Sequence, residues 1–271
     1  MEEILNILNS NDDINIELIE NEKRKKKPSV KDVKIKVMFD NKDDFNPSPH
    51  PNLLRMPFSL LEIAQKGSGK TMLLINLLTW YAPYFDNIFI WSPTINLDRK
   101  WEQIIEKLRI PKENLFDNYN DNVVSGLMRK IKDFNKNRKE KEKIQTLFIF
   151  DDMVQYLPTT KVNALNKLCM NHRHYKISHI IISQSFKKLP PVVRSNTTGM
   201  ILFNTDNSTE REKIIEELSG NIGKKDFEKL FIETTIKKYS FLYINYDTRK
   251  IYSNFDKEIA DLSIPPKYLF Q

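Results

Sequence analysis

From Ala64 to Thr71 the chain reads Ala-Gln-Lys-Gly-Ser-Gly-Lys-Thr. This is A-x-x-x-x-G-K-T, a phosphate-binding loop with alanine where the strict pattern opens on glycine. The residue types suit the task. Gly67 and Gly69 let the backbone come close to phosphate oxygens. The N–H groups of Gln65, Lys66, Gly67, Ser68 and Gly69, with a helix start behind them, offer partial positive charge to an anion. Lys70 can reach the β- and γ-phosphates of ATP, and the Thr71 hydroxyl can ligate Mg²⁺. The alanine is a mild departure, because that position closes the turn and needs no side chain on the nucleotide. An apolar run, Phe58-Ser59-Leu60-Leu61-Glu62-Ile63, comes before the loop, and Met72-Leu73-Leu74-Ile75-Asn76-Leu77-Leu78 comes after it. Strand, loop and helix is the context such a loop requires.

Three further groups complete a hydrolytic set. Thr146-Leu147-Phe148-Ile149-Phe150 is an apolar strand ending in Asp151-Asp152. Asp151 is placed to hold Mg²⁺ through a bound water, and Asp152 to polarise the attacking water. Glutamate is the commoner residue at the second position, and aspartate is one methylene shorter. His179-Ile180-Ile181-Ile182 is another buried strand, and Gln184 just beyond it can orient the water. Ring ATPases also need a cation from a neighbouring subunit. Arg173, ahead of the Gln184 strand, and Arg194, after Pro190-Pro191, are the candidates. His172 and His174 flank Arg173 two residues apart, so on a helix they point to different sides and make a poor metal pair.

These groups must be positioned by alternating strands and helices. A strand at Asn87-Ile88-Phe89-Ile90-Trp91 lies between the phosphate loop and the Asp151 strand. That order is the additional-strand type, in which the Gln184 strand inserts between the other two. Helices are expected from about Asp98 to Leu108, Val123 to Glu142, Lys161 to Tyr175, Thr209 to Leu218 and Lys225 to Thr234. A strand is expected at Met200-Ile201-Leu202-Phe203 and a closing hairpin at Phe241 to Ser253. Together these give an α/β, three-layer P-loop NTPase fold of the additional-strand (ASCE, RecA-like) type. Its central sheet is mainly parallel, with helices on both faces and a C-terminal β-hairpin. Residues 1–50 read as an arm carrying the basic run Lys23 to Lys27. Residues 51–271 read as one ATPase domain, with its core over 51–204 and the C-terminal helices and hairpin over 205–271.

Composition sets the outer bounds. The 271 residues are 40% hydrophobic and 29% charged, enough for a sizeable core. No run is long enough to span a membrane, and the N-terminus lacks the pattern of a secretory signal. Cys169 is the only cysteine, which excludes an intrachain disulfide and suits a reducing interior. A net charge of +7 and a pI near 9.2 favour a polyanionic partner. Lys187 and Lys188, beside the Gln184 strand, are the candidate DNA contacts.

The segments FSLLEIAQKGSGKTMLLINLL, TLFIFDDM, NHRHYKISHIIISQSFKKLPPVVRSN and MILFN, in this order, resemble the genome-packaging ATPases of large eukaryotic DNA viruses and virophages. That group lies within the FtsK–HerA superfamily of DNA-pumping ATPases. The resemblance runs from about Pro51 to Asn204 and does not extend to the arm or the hairpin. It implies a homo-oligomeric ring, a hexamer, that drives double-stranded DNA of any sequence into a preformed capsid. It further implies capsid or portal vertex proteins as partners, and work at a viral assembly site inside the host cell. In the same reading Lys70 and Thr71 hold ATP and Mg²⁺, Asp151 and Asp152 the metal and the water. Gln184 is then the sensor and Arg173 the finger acting in trans. Two alternatives stand beside it: a cellular or plasmid DNA pump or helicase-like ATPase, and a weakly hydrolysing nucleotide-binding assembly scaffold.

Overall fold

The computed structural model describes residues 47–153 and 163–263. The arm expected over 1–50 therefore falls almost wholly outside the described residues, as does the start of the helix expected from Lys161. The strands in chain order are β1 (Ser59–Ile63), β2 (Asn87–Trp91), β3 (Leu115–Phe116), β4 (Thr146–Asp151), β5 (Ile177–Ser183), β6 (Gly199–Phe203), β7 (Phe241–Asn245), β8 (Lys250–Ser253) and β9 (Lys257–Asp261). The helices are α1 (Lys70–Tyr81), α2 (Arg99–Leu108), α3 (Asp121–Asn135), α4 (Ala164–Tyr175), α5 (Pro191–Ser195), α6 (Ser208–Leu218) and α7 (Lys224–Thr235).

All the strands join one sheet, in the spatial order β3-β2-β4-β5-β1-β6-β7-β8-β9. Every pairing from β3 through β6 is parallel, and the pairings of β6 through β9 are antiparallel. The β5 strand does insert between β1 and β4, as the order of motifs predicts. Leu61 of β1 sits opposite Ile181 of β5 on one side and Met200 of β6 on the other. Central strands of this kind are buried on both faces, which is why they read as unbroken apolar runs.

Two cores cover the two faces. Leu73, Leu74, Leu77 and Leu78 of α1, with Trp101 and Ile104 of α2, pack on the face formed by Leu60, Ile149 and Ile180. Each buried leucine contributes about 1.5–3 kcal/mol, so α1 is held firmly with Lys70 at its first turn. The opposite face, formed by Leu61, Phe148 and Ile181, is covered by α3, α4, α6 and α7 through Met128, Leu168, Ile214 and Phe231. Side-chain caps start these helices: Asp98 accepts from the Lys100 N–H at α2, and Asn120 and Asn207 serve α3 and α6 in the same way.

The structure corrects one expectation and adds elements that the sequence did not announce. The helix expected to run to Glu142 stops at Asn135. The Asn135 amide donates to the Ile144 carbonyl at 3.1 Å and accepts from the Ile144 N–H at 2.9 Å, turning the chain back towards β4. The charged stretch after it leaves the helix, and its Glu140 is held by Lys143 and Lys176. The closing hairpin forms as expected, from β7 and β8. Its first strand, β7, pairs with β6 and extends the main sheet, and β9 adds a further strand that was not expected. Finally, the short elements β3 and α5 escaped the sequence reading. Phe116 of β3 stacks on Trp91 with ring centroids 4.8 Å apart.

Candidate nucleotide-binding site

The phosphate loop emerges where β1 ends in the middle of the sheet. The Ala64 N–H still donates to the Ser183 carbonyl, at 3.0 Å, so the loop starts from a fixed point between β1 and β5. Gly67 and Gly69 have φ of 84° and 104°, values that glycine adopts without a Cβ clash. The Ser68 hydroxyl and N–H both donate to the Gln65 carbonyl, closing the loop on itself. Gln65 in turn donates to the Thr205 hydroxyl at 2.8 Å. Helix α1 then begins at Lys70 with no side-chain cap and no acidic residue in its first turn. Its free N–H groups and positive dipole end are left to face an anion.

Around this loop the ends of three adjacent strands bring their polar residues together. Lys70 Nζ forms an ion pair with Asp152 Oδ2 and lies 3.5 Å from Asp151 Oδ1. Gln184 Nε2 donates to Asp152 Oδ2 at 2.9 Å. Asp152 holds φ of 53°, and its N–H donates to the Ile182 carbonyl at 3.0 Å, so the backbone itself aims this carboxylate. Asp151 accepts from the Ser92 hydroxyl at 3.1 Å. Lys70, Thr71, Asp151, Asp152 and Gln184 all line one open cavity of about 920 Å³.

The electrostatics follow from this crowding. Burial alone would lower the Lys70 pKa, but the charges of Asp151 and Asp152 override it and hold the ammonium above its ordinary value. Burial, helped by the neighbouring Asp152, raises Asp151 despite the pull of Lys70. Beneath them lies Glu62 of β1, wholly buried, with neither carboxylate oxygen hydrogen-bonded within the described structure. Burial first, and Asp151 second, push its pKa well above the carboxylate range.

The remaining sequence candidates lie elsewhere. Arg173 is in the last turn of α4, at the end of the sheet where β5 begins. The length of β5, about 20 Å, separates it from Gln184, so it cannot act on the site of its own chain. Its side chain is 65% exposed and makes one long contact, 3.4 Å, with Asp247. Arg194 has a different fate from the alternative finger expected of it. It forms a two-pronged ion pair with Glu217 at 2.8 Å for each contact, donates to the Leu189 carbonyl and lies over the Phe186 ring. This is a structural arginine with its donors engaged. Lys187 and Lys188 are exposed on the loop after β5, at the same end of the sheet as the phosphate loop. His172 is buried against the Cys169 carbonyl, whereas His174 is exposed, and burial pushes the Cys169 thiol up to about 12.

Sequence reading missed three contributors. Glu62 was signalled only by being a lone acid inside an apolar strand. Ser92 directly follows the β2 run and sits at a strand end, where ligand-facing groups collect. Glu210 of α6 gave no local sign. Its carboxylate accepts from the Ser185 hydroxyl at 2.6 Å and from the N–H groups of Phe186 and Lys187 at 2.9 and 3.1 Å, which clamps the loop carrying Gln184.

Comparison with known proteins places this geometry. The family model described as "Poxvirus A32 protein" matches residues 48–260. The DNA packaging protein OPG160 of Variola virus is 27% identical over 179 residues, covering 65% of this chain and 63% of that protein. The same figures hold for its counterpart in Vaccinia virus strain Western Reserve. The chain thus matches somewhat under two thirds of the length of these poxvirus relatives. An uncharacterized protein, 088R, of Invertebrate iridescent virus 3 is 26% identical over 218 residues, covering 79% of this chain and 78% of that one. Among solved structures, the DNA-packaging ATPase B204 of Sulfolobus turreted icosahedral virus superposes with a TM-score of 0.55 at 20% identity, covering 73% of this chain and 97% of B204. That likeness shows a shared fold, the mostly parallel sheet with a phosphate loop at its centre.

Proposed function

The chain belongs to the poxvirus A32 protein family, and from that premise we propose that it is an ATP-hydrolysing motor that moves double-stranded viral DNA into a preformed capsid. One observation carries the hydrolytic part: Lys70, Asp151, Asp152 and Gln184 come from three neighbouring strand ends and converge on a single cavity. The packaging part is supported by the name of the poxvirus relatives, DNA packaging protein.

In this reading the loop amides and Lys70 bind the phosphates, and Lys70 follows the charge that develops on the γ-phosphoryl group. Thr71 and Asp151 are the residues that would hold Mg²⁺. The fit is chemical: both supply hard oxygen donors, and Asp151 Oδ1 has only the long 3.5 Å contact with Lys70 Nζ. Mg²⁺ takes one or two protein ligands and fills its remaining sites with water and substrate phosphate. When bound it neutralises phosphate charge. Asp152, with Gln184 donating to it, is positioned to take the proton of the attacking water, and Gln184 to orient that water. Arg173 is the cation offered to the next subunit of a ring, for which we adopt six subunits. Lys187 and Lys188 face the DNA backbone, and reading phosphates alone leaves the motor indifferent to sequence. Capsid or portal vertex proteins are its partners at a viral assembly site within the host cell. No helix among the described residues is long and apolar enough to cross a membrane.

Substitution of the loop lysine tests the site. Lys70→Ala should abolish ATP turnover while the protein stays folded; turnover that persists unchanged would remove the phosphate-loop assignment.

A further inference from the structure

The phosphate loop recognises phosphates and Mg²⁺, and nothing in it can recognise the rest of a nucleotide. We propose that the nucleoside lies in the cavity between the loop, the end of β6 and the turn joining α7 to β7, with its base stacked on Tyr239. The inference rests on the nucleotide-binding reading of Lys70 and its loop, and it names the part of the ligand that reading leaves out.

Four observations converge on this turn. Tyr239 has φ of 69°, a left-handed conformation in which a bulky residue is an outlier and which clusters at ligand clamps. Its ring is laid against the loop: a methyl group placed on Gly69 would come within 3.0 Å of Tyr239 Cδ1. Yet the residue remains 58% exposed, so the ring is positioned without being covered. Finally, Tyr239 lines two cavities at once. One is the large cavity holding Lys70 and Asp151; the other, of about 200 Å³, is bounded by Gln65, Gly67, Asn204, Asp206 and Ile236. Tyr239 thus stands where the two cavities meet beside the loop.

The second cavity has the composition a base needs. Tyr239 supplies a π-face, to which every base can stack. Ile236, 68% exposed, supplies apolar surface that the described residues leave largely open. Asp206 is an acceptor-only group that favours a base bearing an exocyclic amine, as adenine does. The walls hold their positions independently of Tyr239. Gln65 is tied to Thr205 at the end of β6, and the Ser240 N–H donates to the Lys237 carbonyl at 3.0 Å to close the turn. Lys238 Nζ lies over the Tyr239 ring, 4.9 Å from its centroid, a cation on a π-face that a stacking base would displace.

The test measures ATP and inorganic tripolyphosphate binding by titration calorimetry, with ATP turnover alongside, on the wild type, Tyr239→Ala and Tyr239→Phe. The wild type should bind both ligands. Tyr239→Ala should weaken ATP about tenfold or more and raise KM for ATP in step, while tripolyphosphate binds as before. Tyr239→Phe, which retains the stacking face, should behave as the wild type. Equal ATP affinity in Tyr239→Ala and the wild type would overturn the proposal, as would a parallel loss of tripolyphosphate. A wild type that binds neither ligand would overturn the nucleotide-site reading, and this inference with it.

Discussion

Lys70 stands between two carboxylates, and its charge is secured by them against its own burial. Those acids are legible in the sequence because each follows an unbroken apolar strand, and a polar residue at such an end has only the ligand side to face. Glu62 was not, since a lone acid inside an apolar strand is a signal that carries no role with it. Its neighbours in space are Asp151 on β4, Lys70 on α1 and Asp152 beyond β4. The native state holds the Glu62 proton well above the unfolded value of about 4.3. Between those two values the folded chain therefore binds more protons than the unfolded chain, and stability falls as pH rises through that window. Glu62→Gln removes the titration and keeps the neutral shape. Its melting temperature should gain on the wild type progressively as pH is raised above the ordinary carboxylate range. Parallel melting curves for the two proteins over that rise in pH would show that Glu62 is not held protonated.

Elements place these residues, and here the sequence was readable to different depths. The central strands and amphipathic helices followed from apolar runs and helical spacing. Where α3 ends did not, because the stop is made by Asn135 bonding to Ile144, nine residues away. Strand β9 was hidden for another reason: of Lys257, Glu258, Ile259, Ala260 and Asp261 only Ala260 is buried, so alternation leaves almost no hydrophobic signal. The loop after β5 shows the same limit at the site. Its conformation depends on Glu210, 23 to 25 residues further on. Charge-assisted bonds of this kind are stronger than neutral ones, so Glu210→Gln should loosen the loop and misplace Gln184. We expect kcat to fall about tenfold or more with nucleotide affinity little changed, since misplacement by an ångström costs up to about a hundredfold. A kcat equal to that of the wild type would mean the loop is held without Glu210.

At the scale of the whole molecule, the proposed mechanism draws one cation from a neighbouring subunit. Arg173 lies a full strand length from its own site and is mostly exposed, and a finger supplied in trans is worth about three to five orders of magnitude in rate. Arg173→Ala and Lys70→Ala subunits should each be inactive alone and partly restore turnover when mixed, because one supplies the pocket and the other the finger. Co-assembly without restored activity would exclude Arg173 from that role. The resemblance seen in the sequence reached this level of organisation only by analogy, since contacts between subunits leave no pattern within one chain. In the proposed motor, ATP hydrolysis is coupled to duplex DNA. The measurement that bears on it most directly is ATP turnover by the wild type with and without duplex DNA, on a sample whose oligomeric state is determined in the same buffer. The account predicts an oligomer whose turnover rises when duplex is added. Turnover indifferent to duplex in that assembled state would contradict it.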